Sequence, residues 1–218
     1  MTDYQGYLQS DGYRGYDQIR LKEGIIALGC WAHCRRRFAE VVKISSKAGK
    51  AHEALKYVEK LYEIEQEARE RKLSYEDRKD LRQEKARPII MEIENWLQKV
   101  VKQVPVESAI GKAVTYAMNQ WPYLKIYIEH GKVEIDNNLV ENQIRPFALG
   151  RKNWLFIGNE RAANIAGLFY SLIQTCKING INPRKYLLYV LNQVGKMRRG
   201  VLEASTLLPQ YVDKADFG

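Results

Sequence analysis

The 218-residue sequence predicts a mostly helical α+β fold, and three observations carry that prediction. Two short apolar runs near the start, each bounded by glycines, read as strands. From residue 51 onward apolar residues recur at helical spacing through most of the chain. The composition, 45% hydrophobic and 28% charged, is that of a chain able to bury a core, which excludes disorder. No apolar run approaches the ~18 residues needed to cross a bilayer, and Met1-Thr2-Asp3-Tyr4 lacks the charged start and apolar stretch of a signal peptide. Cys30, Cys34 and Cys176 are sparse and odd in number, which argues against a disulfide scaffold and for a reducing cytoplasm.

The elements follow in order. Residues 4–10 read as a short strand ended by Ser10-Asp11-Gly12. Residues 24–30, rich in Ile between glycines, fit a fully buried strand, and a helix over 32–47 should carry Arg35, Arg36 and Arg37. Leu55, Val58, Leu61, Tyr62 and Ile64 mark a long amphipathic helix with charges of both signs in its gaps. Ser74 before Glu76-Asp77 can cap a second helix, Pro88 starts or kinks a third, and Pro105 ends it. Residues 107–128 read as a helix interrupted at Trp121-Pro122, and the four helical segments from residue 51 onward look like a self-contained bundle. Val133-Glu134-Ile135 alternates like a strand, and Asp136-Asn137-Asn138 offers cap chemistry to a helix that Pro146 should break. Residues 153–158 read as a short strand or turn, 162–177 as a helix stopped by Asn179-Gly180, and 183–196 as a last helix. Residues 200–218 read as a frayed or docking tail.

Charge is unevenly placed. The formal net charge is +9, and residues 142–199 alone sum to +9, while 51–103 sum to zero. Such a block favours a polyanion, most plainly nucleic acid; a solvated basic surface is the alternative. Asp11 projects from a predicted strand end, and Glu141 lies in the first turns of a helix that opens the basic block. Carboxylates beside a positive surface suit a hard divalent cation held against phosphate. The alternative is an Asp in a turn and a Glu in solvent. A zinc site built on Cys30, His33 and Cys34 would need Cys176, His52 or His130, at spacings that match no standard pattern.

Longer strings narrow these choices. Tyr7-Leu8-Gln9-Ser10-Asp11-Gly12-Tyr13, Gly29-Cys30-Trp31-Ala32-His33-Cys34-Arg35-Arg36-Arg37-Phe38 and Asp136-Asn137-Asn138…Glu141…Arg145-Pro146-Phe147-Ala148-Leu149-Gly150-Arg151-Lys152-Asn153-Trp154 resemble the catalytic region of insertion-sequence-66 family DDE transposases. So do Tyr170-Ser171-Leu172-Ile173 and Lys177-Ile178-Asn179-Gly180, and the resemblance runs from about Tyr4 to Val194.

The resemblance implies a partial ribonuclease-H-like core with few short strands and a large all-α insertion. On that reading residues 1–50 belong to the core, 51–130 are the insertion, 131–199 complete the core with the basic segment, and 200–218 are the tail. Asp11 matches the family's second aspartate and Glu141 its glutamate, both catalytic and both ligands of Mg²⁺ or Mn²⁺. Cys30-Trp31-Ala32-His33 is similar to a Cys-x-x-His motif of such enzymes, making Cys30, His33 and Asp136 candidate orienting groups. Arg145, Arg151 and Lys152 are the candidate DNA contacts, and Trp154 either stacks on a base or fills the core. Asn142 stands where the family is expected to favour Arg.

The implied partners are DNA, as transposon ends and target, and further copies of the chain in an assembled complex, with no membrane. The implied place is the bacterial cytoplasm, beside the nucleoid. The family's first aspartate lies on an earlier strand that would precede residue 1. The expectation is therefore a C-terminal part of the catalytic domain, inactive alone, with the metal weakly held or absent. The competing expectation is a non-catalytic DNA-binding or transpososome-assembly module.

Overall fold

The computed structural model describes residues 4–44, 49–154 and 158–217, with backbone alone at 152–154. The chain forms two compact units, Met1–Leu139 and Val140–Gly218. The architecture is α+β and mostly helical, as the sequence predicts.

In the first unit, β1 (Gly6–Ser10) and β2 (Ile25–Gly29) pair in parallel, from Gly6 opposite Ile25 to Ser10 opposite Gly29. A short helix, α1 (Asp17–Arg20), lies in the connection. Arg20 is buried there; its Nε donates to Ser10 Oγ at 3.1 Å and its guanidinium stacks 4.6 Å from the Tyr123 ring. Unlike the sequence expectation, β2 is not buried throughout. Ile26 is 37% exposed, and burial begins at Ala27. Gly29 lies so close to Leu124 that a Cβ would meet its backbone nitrogen at 3.2 Å.

Helices supply the rest of this unit. They are α2 (Trp31–Ile44), α3 (Lys50–Glu70), α4 (Tyr75–Leu81), α5 (Arg87–Val100) and α6 (Ala109–Leu124). Ser74 caps α4 by accepting the Asp77 N–H at 3.1 Å, as expected. A π-helical turn, Arg82–Ala86, joins α4 to α5 without a break, and Pro88 follows just after that turn. Pro122 does not interrupt α6, because it sits in the last turn and removes a single helical bond before a 3₁₀ turn, Lys125–Glu129, takes over.

These helices do not close on themselves. One core joins Leu28, Trp31, Cys34 and Phe38 to Val58, Leu61, Leu97, Val114 and Leu124, so α2 and the sheet share an interior with the helices that follow. The expected strand at 133–135 is absent. Val133 and Ile135 are buried and Glu134 is exposed, but no backbone ladder forms. The alternation is that of an extended segment tied down by isolated bonds.

The second unit holds α7 (Asn138–Trp154, which starts at the end of the first), α8 (Glu160–Ile178) and α9 (Pro183–Arg198). Pro146 lies inside α7 and does not end it, contrary to the sequence expectation. Asn153 and Trp154 close that helix, while the rest of the expected strand, 155–157, lies outside the described residues. Asn159 and Asn182 cap α8 and α9, and Gly180 takes the left-handed conformation (φ 71°) just past α8. The tail docks on its own unit: Tyr186 Oη donates to Leu207 O at 2.8 Å, and Phe217 is buried against Tyr186 and Tyr189.

Candidate functional site at the strand ends

Parallel pairing brings the singled-out residues of the first unit to one edge. Ser10 is level with Gly29, so Asp11 and Cys30 leave neighbouring strands side by side, about 5 Å apart by strand spacing. The 133–136 segment joins them through two bonds. Gln9 Nε2 donates to Gly29 O at 3.2 Å and to Glu134 O at 2.9 Å, and the Trp31 N–H donates to Ile135 O at 3.2 Å. Asp136 therefore follows directly on this edge.

Each group is held. Asp11 Oδ1 accepts the Tyr13 N–H at 3.0 Å, and Asp11 O accepts Tyr116 Oη at 2.6 Å. Burial pushes the Tyr116 phenol up to about 12, with Cys34 adding to it. Asp136 Oδ1 accepts the Asn138 N–H at 3.0 Å, the cap role read from the sequence, and its Oδ2 accepts Tyr62 Oη at 2.6 Å. Burial and the bond to Asp136 both raise the Tyr62 phenol. Cys30 Sγ lies 3.2 Å from His33 Nδ1, so the Cys-x-x-His residues form a contacting pair across the first turn of α2. Burial raises the Cys30 thiol, against backbone N–H groups led by that of Asn137. A neutral thiol is a poor nucleophile.

Glu141 lies in the first turn of α7, in the second unit. Arg145 and Arg151 are exposed on α7; Lys152 is on the same helix, and its side chain and that of Trp154 lie outside the described atoms. Among the described residues no group of three or more His, Cys, Asp or Glu side chains is gathered as a metal site. Asp11 and Asp136 bring to this edge the oxygen donors that a hard divalent cation takes. The residues of the zinc alternative are engaged otherwise. Cys34 is fully buried with its thiol pushed up to about 12 by that burial; His52 meets the Gly49 N–H, and His130 meets Tyr7 Oη at 3.1 Å.

A model of the IS66 family of transposases matches residues 1–165, and one of the IS66 C-terminal element matches 171–209. This chain belongs to the IS66 transposase family. Its relatives include two uncharacterized proteins of Sinorhizobium fredii (strain NBRC 101917 / NGR234). The protein y4jD is 31% identical over 215 residues, covering 96% of this chain and 42% of its own. The protein y4hP is 34% identical over 209 residues, covering 89% and 38%. The chain thus spans about two-fifths of the length of these relatives. No solved structure matches. Among the described residues no helix is long and apolar enough to cross a membrane.

Sequence reasoning missed the groups that hold this edge in place. Arg82, fully buried, donates through Nε to Glu65 Oε1 at 2.7 Å and through Nη2 to Glu65 Oε2 at 2.8 Å. It also donates to the carbonyls of Tyr127 (3.0 Å), Val133 (2.9 Å) and His130. Arg78 bridges Glu65 and Glu134 at 2.7 Å each. Burial opposes its charge, but the two carboxylates outweigh that and raise it. This network pins the 127–134 segment that delivers Asp136. Read as a surface helix, Glu65 is one charge among many; only its position on the buried stripe with Leu61 and Ala68 marks it, at i+4 and i−3.

Proposed function

We propose that this chain is the C-terminal part of the catalytic region of a DDE transposase that cuts and joins DNA. Family membership and the placing of Asp11 at the carboxyl end of a parallel strand support the reading, since such ends are where open sheets present reactive groups. On this reading β1 and β2 are part of a ribonuclease-H-like sheet, and Asp11 and Glu141 each give one carboxylate to Mg²⁺ or Mn²⁺ in the whole enzyme. Cys30, His33 and Asp136 orient the edge, and Arg145, Arg151 and Lys152 hold DNA phosphates. Transposon ends and target DNA are the substrates, the working form is an assembly of several copies, and its place is the cytoplasm beside the nucleoid.

The exposed Arg145 and Arg151 of α7 suit a second reading as well, a DNA-binding or assembly module without chemistry of its own. One experiment separates the two. Duplex DNA binding of the chain is measured by fluorescence anisotropy, and transposition is followed for the whole enzyme with and without Asp11→Asn. Binding, with transposition that Asp11→Asn abolishes, supports the catalytic reading. Binding, with transposition that Asp11→Asn leaves intact, supports the module. No duplex binding at low salt refutes both.

A further inference from the structure

The late basic block is the charge feature that the sequence brings forward, but the first unit carries a cationic surface of its own. A groove of about 610 Å³ runs between α2 and α3, beside the start of α7. Arg35, Arg36 and Lys43 line it from α2, Glu59 and Tyr62 from α3, and Asn138 closes one end. Arg35, Arg36 and Lys43 are exposed and make no ion pair among the described residues. Ala32 and Ala39 leave only methyl groups on the α2 wall between them, so the charged heads stand clear of a shallow floor.

We propose that this groove binds the sugar–phosphate backbone of duplex DNA. The inference rests on reading the chain as a DNA-processing protein, and it names a surface which that reading does not assign. Arg35 and Lys43 are eight residues apart on one helix, about 12 Å along its axis. Phosphates of one strand rise about 3.4 Å per step along the duplex, so a row of cations about 12 Å long covers about three to four steps. Glu59, the one carboxylate in the lining, faces the opposite wall and limits the field. The groove ends at Tyr62 and Asn138, which flank the Asp136 carboxylate through the bonds already described. A bound backbone is thereby led to the strand ends that carry Cys30 and Asp11. Two arginine forks and a lysine ammonium on one rigid helix position a backbone without reading its sequence.

The test measures duplex DNA affinity of the full chain against salt for three proteins. They are the wild type, the triple variant Arg35→Gln/Arg36→Gln/Lys43→Gln, and a control with the same charge change at exposed lysines elsewhere, Lys56→Gln/Lys79→Gln/Lys99→Gln. All six positions are exposed, and circular dichroism checks the fold. Loss of three phosphate contacts lowers the slope of log affinity against log salt by about 2.7, so between about 50 and 200 mM salt the groove variant loses roughly 40-fold less affinity than the wild type. The control keeps the wild-type slope, and Glu59→Gln binds tighter than wild type. Equal effects of the two triple variants, or none from either, overturn the groove while leaving the DNA reading intact. Tighter groove-dependent binding of an RNA duplex than of DNA overturns the choice of partner. No wild-type binding at low salt sinks the DNA reading and the groove with it.

Discussion

Replacing Arg82 by Lys keeps the charge and removes the fork, and the structure sets the size of the effect. The buried guanidinium uses five N–H groups on five acceptors: two carboxylate oxygens of Glu65 and the carbonyls of Tyr127, His130 and Val133. An ammonium has three donors, so at least two of these five bonds are lost, although Glu65 Oε2 keeps Arg78 and Tyr127 O keeps the His130 N–H. Each lost bond costs about 0.5–1.5 kcal/mol, which gives roughly 1–3 kcal/mol for the substitution. If the charge alone mattered, the cost would be near zero. With a urea slope of about 3 kcal/mol/M, a loss of 3 kcal/mol lowers the midpoint by about 1 M. Tryptophan fluorescence is the assay, because Trp31, Trp96 and Trp121 all lie in the first unit and Trp31 is buried in its core. A midpoint within about 0.2 M of wild type would refute the donor count, since that is less than two lost bonds.

Three further outcomes follow from the same coordinates. A Cβ at Gly131 would stand 1.7 Å from the Tyr75 carbonyl oxygen, a backbone atom that cannot swing aside, so Gly131→Ala should cost about 1–3 kcal/mol or more in urea unfolding; a neutral result would mean the 131 turn is free to move away from α4. The hydrogen bonds of Arg78 hold the Glu134 carboxyl below its ordinary value of 4.5, so the folded protein takes up that proton less readily than the unfolded one. The resulting stability is present above about pH 4.5 and is lost as pH falls through the lower folded value, and Glu134→Gln should flatten that part of the urea-midpoint profile; an unchanged profile contradicts the ion pair. Finally, Cys30, Cys34 and Cys176 are all buried, so a thiol reagent at pH 8 should label the native chain slowly and the urea-unfolded chain at once; fast native labelling of Cys34 would show that its site opens readily.

The elements that were legible before folding are those fixed by local chemistry. Ser74, Asn159 and Asn182 announce helix starts because a short polar side chain satisfies N–H groups two or three residues on, a matter of sequence distance alone. The prolines were less legible. Pro122 and Pro146 sit inside helices, because losing one bond is tolerated where the surrounding helix is held by its packing. Val133-Glu134-Ile135 alternates as a strand does, and its burial follows the pattern; whether an edge stands beside it to complete a ladder is not a local property.

For the candidate site the division is similar. The sequence by itself determined the family, the candidate residues of the site, the turn that ends β1 at Asp11, and the cap role of Asp136, all of which depend on residues near one another in the chain. Only the tertiary structure decided that Asp11, Cys30 and Asp136 share an edge, because that follows from the pairing of Ser10 with Gly29 and from two bonds that reach more than a hundred residues along the chain. It alone decided that Glu65 and Arg82 are interior. A charged side chain on an amphipathic helix has the same local pattern in solvent as in a core, and what distinguishes the two is the set of partners that folding brings to it from distant segments.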